Sequence, residues 1–168
     1  AIISGVLFGL GHVFWGGIFA QLTSVLDGVD GEIARLKFRE SKYGGFLDSI
    51  LDRYGDLVII FFMTLYCSHQ TPGIFVWMVG FLALAGSYMS MLNKGKFAAL
   101  THKEYIPHEF EGWLEYIPDG RDGKLFIIML GGIFNQVFLA LIVLAVLTHF
   151  KAATRLINLR PTLKEKIA

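Results

Sequence analysis

The 168-residue chain is 54% hydrophobic with a mean hydropathy of +0.56, and its 15 Lys and Arg against 14 Asp and Glu leave a formal net charge of +1. That apolar excess lies above the range of ordinary soluble domains and predicts a polytopic membrane protein, while the near-neutral balance offers nothing to nucleic acid. One cysteine, Cys67, excludes an internal disulfide and a cysteine metal motif, and it reads as a small apolar filler.

The chain opens on Ala1-Ile2-Ile3 with no basic leader, and its first apolar run ends near Leu10. A membrane span needs about 20 residues, so the expectation is a chain that begins inside its first helix and is N-terminally incomplete. Gly9, Gly11, His12, Gly16 and Gly17 then interrupt the run. They predict a tight turn over Gly11 to Trp15, with His12 and Trp15 at the far interface, and a second helix from about Gly16 to Leu36. A basic loop follows over Lys37 to Lys42, then a third helix from about Gly44 to Cys67, a turn over Ser68 to Gly73, and a fourth helix from about Ile74 to Leu92. The polar stretch from Asn93 to Arg121 contains Pro107, Trp113 and Pro118 and reads as an ordered loop or a short interfacial helix.

The last apolar region, Gly123 to Phe150, is long enough for one helix or for a hairpin broken at Gly131, Gly132 and Asn135. Charge placement decides between them. Outside the helix ends, Lys and Arg fall in Lys37 to Lys42, Lys94 to Lys124 and Lys151 onward, while the turns near residues 12, 70 and 134 hold none. This is a positive-inside pattern only if the last region crosses twice. The expectation is therefore an all-α, six-helix transmembrane bundle over residues 1–160 in the cell membrane. Its first helix is truncated, its fifth short, and a polar tail follows at 161–168. The acidic site described next and the C-terminus both face the cytoplasm.

Within this apolar frame one stretch stands out, DGVDGEIARLKFRESKYGGFLDSILD, from Asp27 to Asp52. An ionised side chain at membrane depth costs several kcal/mol unless it is paired or metal-bound, so four carboxylates there demand a reason. Asp27 and Asp30 share a helix face by their spacing, as do Asp48 and Asp52 one short loop later. Oxygen-only ligands suit hard cations such as Mg²⁺, Mn²⁺ or Ca²⁺, and four negative charges suit two of them, the arrangement used to clamp a phosphoryl group in transfer. Asp56 continues the face and reads as a partner for Arg53, while Glu32 points off it.

Asp27, Asp30, Gly31, Ala34, Arg35, Gly44, Asp48 and Asp52 reproduce the pattern D-x-x-D-G-x-x-A-R-x8-G-x-x-x-D-x-x-x-D with every spacing kept. This stretch resembles the signature of the CDP-alcohol phosphotransferases, also called CDP-alcohol phosphatidyltransferases. The resemblance implies an integral membrane enzyme of six helices that moves a substituted phosphate from a CDP-alcohol to the hydroxyl of a second alcohol and releases CMP. It implies that Asp27, Asp30, Asp48 and Asp52 hold two divalent ions, Mg²⁺ or Mn²⁺, and that Asp52 is the general base. It places Gly31, Ala34, Arg35, Ser41 and Gly44 against the nucleotide. A basic set at helix ends, Lys94, Lys96, Arg121, Lys124 and Arg155, reads singly as membrane-surface charge. By the same resemblance Lys94, Arg121 and Arg155 are the residues expected to bind a phosphorylated acceptor. Homodimerisation through the helices is a further implication.

The wording around the core is most similar to the branch that contains di-myo-inositol-phosphate phosphate synthases, in which a cytidylyltransferase domain is fused or separate. That branch implies CDP-inositol and inositol 1-phosphate as substrates. The alternative is a phospholipid synthase using CDP-diacylglycerol or CDP-archaeol with a polyol or polyol phosphate. From another class, a divalent cation transporter would also bury acids. Transporters, however, repeat their sites in both halves, and no second acidic motif follows residue 60.

Overall fold

A computed structural model of the chain describes residues 1–36, 41–101, 105–106, 111 and 120–165, with the backbone alone at 31, 34, 35, 42 and 161–165. The described residues form six helices and no strand: α1 (Ile2–Gly9), α2 (Val13–Leu36), α3 (Lys42–Gln70), α4 (Ile74–Thr101), α5 (Arg121–Ile133) and α6 (Val137–Glu165). The expected all-helical architecture and the hairpin in the last apolar region are both present. Gly11, at φ +82°, makes the α1–α2 turn, and Asn135, at φ +53°, makes the α5–α6 turn. Both fall in the left-handed region that glycine, and after it asparagine, tolerates best.

Several boundaries differ from expectation, among them those of α3, which runs from Lys42 to Gln70 rather than from Gly44 to Cys67. Helix α2 begins at Val13 rather than near Gly16. Helix α4 runs to Thr101 rather than Leu92, because Phe97 gives its last turns something to bury: the ring packs edge-on to Tyr105 at 5.6 Å and joins Leu159 in a small apolar cluster. Helix α6 runs to Glu165 instead of stopping near Phe150, so residues 161–165 of the expected tail continue a helix. The expected basic loop lies outside the described residues at 37–40. So do Pro107, Trp113 and Pro118.

Two helices, Ile74–Thr101 and the stretch Val137–Arg160 of α6, are long and apolar enough to cross a membrane by length and composition. The 24-residue α2 and the 29-residue α3 would also reach across at about 1.5 Å per residue, but each contains several charges. The core is a dry cluster that includes Phe8, Ile59, Met63, Ala83, Leu125, Leu141 and Leu144. The outside is equally apolar, with Phe61, Trp77, Phe81, Phe126 and Val146 all exposed.

Helices α4 and α6 pack along each other, as do α2 and α5, and α1 lies against α2 and α3. Small residues set these approaches. A Cβ added at Gly132 would stand 2.4 Å from the Val13 carbonyl oxygen and 3.0 Å from Gly17 Cα, so α5 meets α2 backbone to backbone. At Gly80 the obstacle would be the Thr64 side chain, whose Oγ1 lies 2.2 Å away. Close approach of this kind supplies packing energy where both neighbours and surroundings are apolar. Gly132→Ala is expected to lower stability by about 2 kcal/mol, the usual scale for overpacking a rigid contact. Thermal unfolding in detergent should show a larger loss for Gly132→Ala than for Gly80→Ala, which faces a movable side chain.

Candidate functional site

The site sits where the C-terminal part of α2, the N-terminal half of α3 and the start of α5 converge. Helix α3 begins with a side-chain cap: Ser41 is extended, at φ −126° and ψ 143°, and its hydroxyl accepts from the Gly44 backbone N–H at 2.9 Å. A Cβ on Gly44 would stand 2.9 Å from that same oxygen, so the glycine makes room for the cap. Capping of this kind satisfies one of the orphan donors of the first turn and fixes where the helix starts. From that start Asp48, Asp52 and Asp56 follow at four-residue steps along one face.

Asp27, Asp48 and Asp52 each offer a carboxylate oxygen, and the three oxygens lie within 4.8 Å of one another. The donor set is all oxygen and all anionic, which fits a hard divalent cation. Asp30 is not part of this group. It lies three residues beyond Asp27, about 60° round the helix and one rise of 4.5 Å further along, and it is exposed. Gly31, Ala34 and Arg35 continue α2 past it, and the side chains of Ala34 and Arg35 lie outside the described residues.

Arg121, the first residue of α5, reaches into the acidic group. Its Nη1 contacts Asp27 Oδ2 and lies 2.5 Å from Asp52 Oδ1, while its Nε is 3.9 Å from Asp56 Oδ1. Next to it, Asp122 accepts a short hydrogen bond from the Ser24 hydroxyl of α2, pinning α5 to the turn before Asp27. Beneath lies a buried hub. Asp56 is 5% exposed and meets Lys124 Nζ at 3.0 Å and Arg53 Nη1 at 3.4 Å, and Lys124 also donates to Ser87 Oγ of α4 at 2.5 Å. The expected pairing of Asp56 with Arg53 is present. A surface role for Lys124 is not, because Asp56 and Ser87 together satisfy an ammonium that would otherwise be too costly to bury.

Arg155 also departs from the membrane-surface reading. It is fully buried on α6, where Nε donates to Glu111 Oε1 at 2.6 Å and Nη1 donates to Ser90 Oγ at 2.6 Å and Ser90 O at 3.0 Å. Its guanidinium stands over the Tyr105 ring, 5.4 Å from the centroid. Lys151, buried on the same helix, contacts the other oxygen of Glu111, and Tyr105 donates its hydroxyl to Glu111 at 2.8 Å. Lys94 is half-buried and Lys96 exposed, both on α4 rather than in a loop. Sequence reasoning missed Glu111, Ser87, Asp122 and the hub role of Asp56.

A family model described as "CDP-alcohol phosphatidyltransferase" matches residues 1–158. Similar curated proteins include a "Bifunctional IPC transferase and DIPP synthase" of Thermococcus kodakarensis, 38% identical over 148 residues, which cover 83% of this chain and 32% of that protein. Another of that name, from Aquifex aeolicus, is 34% identical over 81% of this chain and 31% of its own length. An "Archaetidylinositol phosphate synthase" of Pyrococcus horikoshii is 31% identical over 88% of this chain and 70% of its own length. The chain thus spans about a third of the length of the bifunctional relatives.

Burial alone would raise the Glu111 carboxyl, but hydrogen bonds from Lys151, Arg155 and Tyr105 outweigh it and hold the group below its usual value of 4.5. A depressed carboxyl contributes stability that is complete above the unfolded value and is lost as pH falls through the folded one. Glu111→Gln is expected to cost about 3 kcal/mol at neutral pH, since it leaves two buried cations unmatched. Thermal unfolding across pH should show this deficit shrinking as pH falls below 4.5, where the unfolded carboxyl takes up its proton first, and vanishing only once the native carboxyl is protonated too.

Proposed function

The chain belongs to the CDP-alcohol phosphatidyltransferase family of phosphotransferase enzymes, and on that premise we propose that it transfers a substituted phosphate from a CDP-alcohol to the hydroxyl of a second alcohol, releasing CMP. The observation that carries this reading is the convergence of Asp27, Asp48 and Asp52 from two helices, with carboxylate oxygens within 4.8 Å of one another. Asp27, Asp48 and Asp52 would hold a first Mg²⁺ or Mn²⁺, and Asp30, three residues further along α2, is the remaining signature ligand for a second. Divalent cations held there would supply positive charge against the donor's diphosphate. Gly31, Ala34, Arg35, Ser41 and Gly44 flank the nucleotide; the exposed Gly44 backbone allows close approach, and Arg35 supplies a forked, permanent charge for phosphate oxygens.

In the reaction the acceptor hydroxyl oxygen attacks the phosphorus that carries the donor alcohol. The phosphoanhydride bond to CMP breaks, CMP leaves with the bonding pair, and Asp52 takes the hydroxyl proton. Lys94, Arg121 and Arg155 are the candidate cations for a phosphate on the acceptor, with Arg121 nearest the acidic group and Arg155 reached only by a ligand that replaces Glu111.

The apolar surface of α4 from Ile74 to Leu92, which holds no charged residue, and the basic pair Lys94 and Lys96 that follows it support residues 1–160 as a membrane bundle in the cell membrane with the acidic end and the C-terminus cytoplasmic. The names of the bifunctional relatives favour CDP-inositol and inositol 1-phosphate as substrates, with di-myo-inositol phosphate phosphate as product and a cytidylyltransferase activity, fused or separate, as supplier of the donor. A lipid product from CDP-archaeol or CDP-diacylglycerol is the second reading, favoured by the archaetidylinositol phosphate synthase matched over 70% of its length. Cation transport gains no support from membership of an enzyme family.

Incubation with CDP-inositol, CDP-diacylglycerol or CDP-archaeol, each with inositol 1-phosphate, should release CMP with one donor, and mass spectrometry of the product separates the two readings. Chelation of divalent ions should abolish release. Asp52→Asn should lower turnover by about 10³-fold, the scale of a lost general base, while nucleotide binding persists in part. Turnover by this variant within tenfold of the parent would remove Asp52 from the role.

A further inference from the structure

Resting on the cation site proposed above, we propose that Arg121 is the resident counter-cation of the carboxylate cluster. It shares its oxygens in strict alternation with the divalent ion and retreats to Asp56 when that ion binds. Three observations point this way. Arg121 Nη1 contacts carboxylates of both Asp27 and Asp52, two of the three groups whose oxygens converge. A guanidinium held on Asp27 Oδ2 and Asp52 Oδ1 repels a divalent ion that approaches the same carboxylates and competes with it for them. Second, the Arg121 side chain is only 13% exposed, so it is enclosed by the site and is not a passing surface charge.

The third observation supplies the alternative seat. Arg121 Nε has no hydrogen-bond acceptor among the described residues, yet Asp56 Oδ1 lies 3.9 Å from it. A small rotation of the side chain completes that bond. Between Asp52 and Asp56, α3 carries Gly55, so residue 55 itself places no side chain beside Arg121 Nη2, which is 3.9 Å from where a Cβ there would stand; Ala1 Cβ lies 2.9 Å from the same point.

The charge balance explains what the arrangement achieves. Three carboxylates alone carry −3, and in a membrane-embedded setting that repulsion would splay α2 from α3. With Arg121 in place the group carries −2, which keeps the ligands together yet leaves them attractive to a divalent ion. Arg121 is thus a positioning residue for the cluster, and its presence weakens cation affinity while supporting the apo fold. Lys124 and Arg53 face the same Asp56, so removal of that carboxylate leaves α5 with only Asp27 and Asp52 as anionic partners for Arg121.

The test is cation affinity of the purified full chain in detergent, with Mg²⁺ titrated calorimetrically and Mn²⁺ followed by electron paramagnetic resonance. Arg121→Gln should tighten binding at least tenfold and lower the melting temperature without divalent ions, and saturating Mg²⁺ should erase that deficit. Asp56→Asn should weaken binding, the opposite direction, because Arg121 then has nowhere else to go. Arg121→Lys, which keeps the charge but loses the fork, should fall between Arg121→Gln and the parent and covers the case in which Arg121→Gln does not fold. Equal or weaker affinity in Arg121→Gln, or in Arg121→Lys where only that variant folds, would overturn the inference while leaving the cation site standing. Absence of cation binding in the parent and every variant would instead overturn the cation site, and this inference with it.

Discussion

Charge in a dry bundle must be matched by charge, and this constraint arranges the whole functional end of the molecule. Asp27, Asp52 and Asp56 meet Arg121, Lys124 and Arg53 across three helices, with Ser87 adding a contact from a fourth. No single pair of these contacts would offset the desolvation of its members by a wide margin. Together they fix the rotation of α5 about its axis, since Arg121 and Lys124 lie three apart on one face and each must find its own acid. The apolar core below requires only that the helices touch. It is the polar network that decides which residues of α5 look toward α2 and α3.

The helix order and the hairpin near Asn135 were legible in the chain because apolar runs and glycine breaks are local signals. So was the coming together of the signature acids, which needs only the spacing of residues on two adjacent helices. What could not be read was where α4 and α6 stop. Lys94, Lys96, Lys151 and Arg155 look like the surface charges that end a membrane segment, and a sequence has no way to show that Lys151 and Arg155 are matched by one glutamate some forty positions earlier. Asp30 stands apart from the other three: three residues do not make a whole helical turn, and the group whose oxygens converge contains Asp27 and not Asp30.

Gly44 of the signature and Ser41 just before it admit a structural account beside the chemical one proposed for them. Ser41 caps α3, and Gly44 gives the cap its space. The helix start so defined sets the phase of Asp48 and Asp52 along the same helix. A signature position can thus matter by determining where the reactive carboxylates begin their turn, whatever else it touches.

The second ionic knot, Glu111 with Lys151, Arg155, Tyr105 and Ser90, has no residue in common with the acidic group on α2 and α3. It ties the connection before α5 to α4 and α6, whereas the signature acids belong to α2 and α3. They meet on α4, where Ser87 serves the first assembly and Ser90, three residues on, serves the second. New pocket walls on the later helices therefore have to keep α4 in register if the cation chemistry is to be inherited intact.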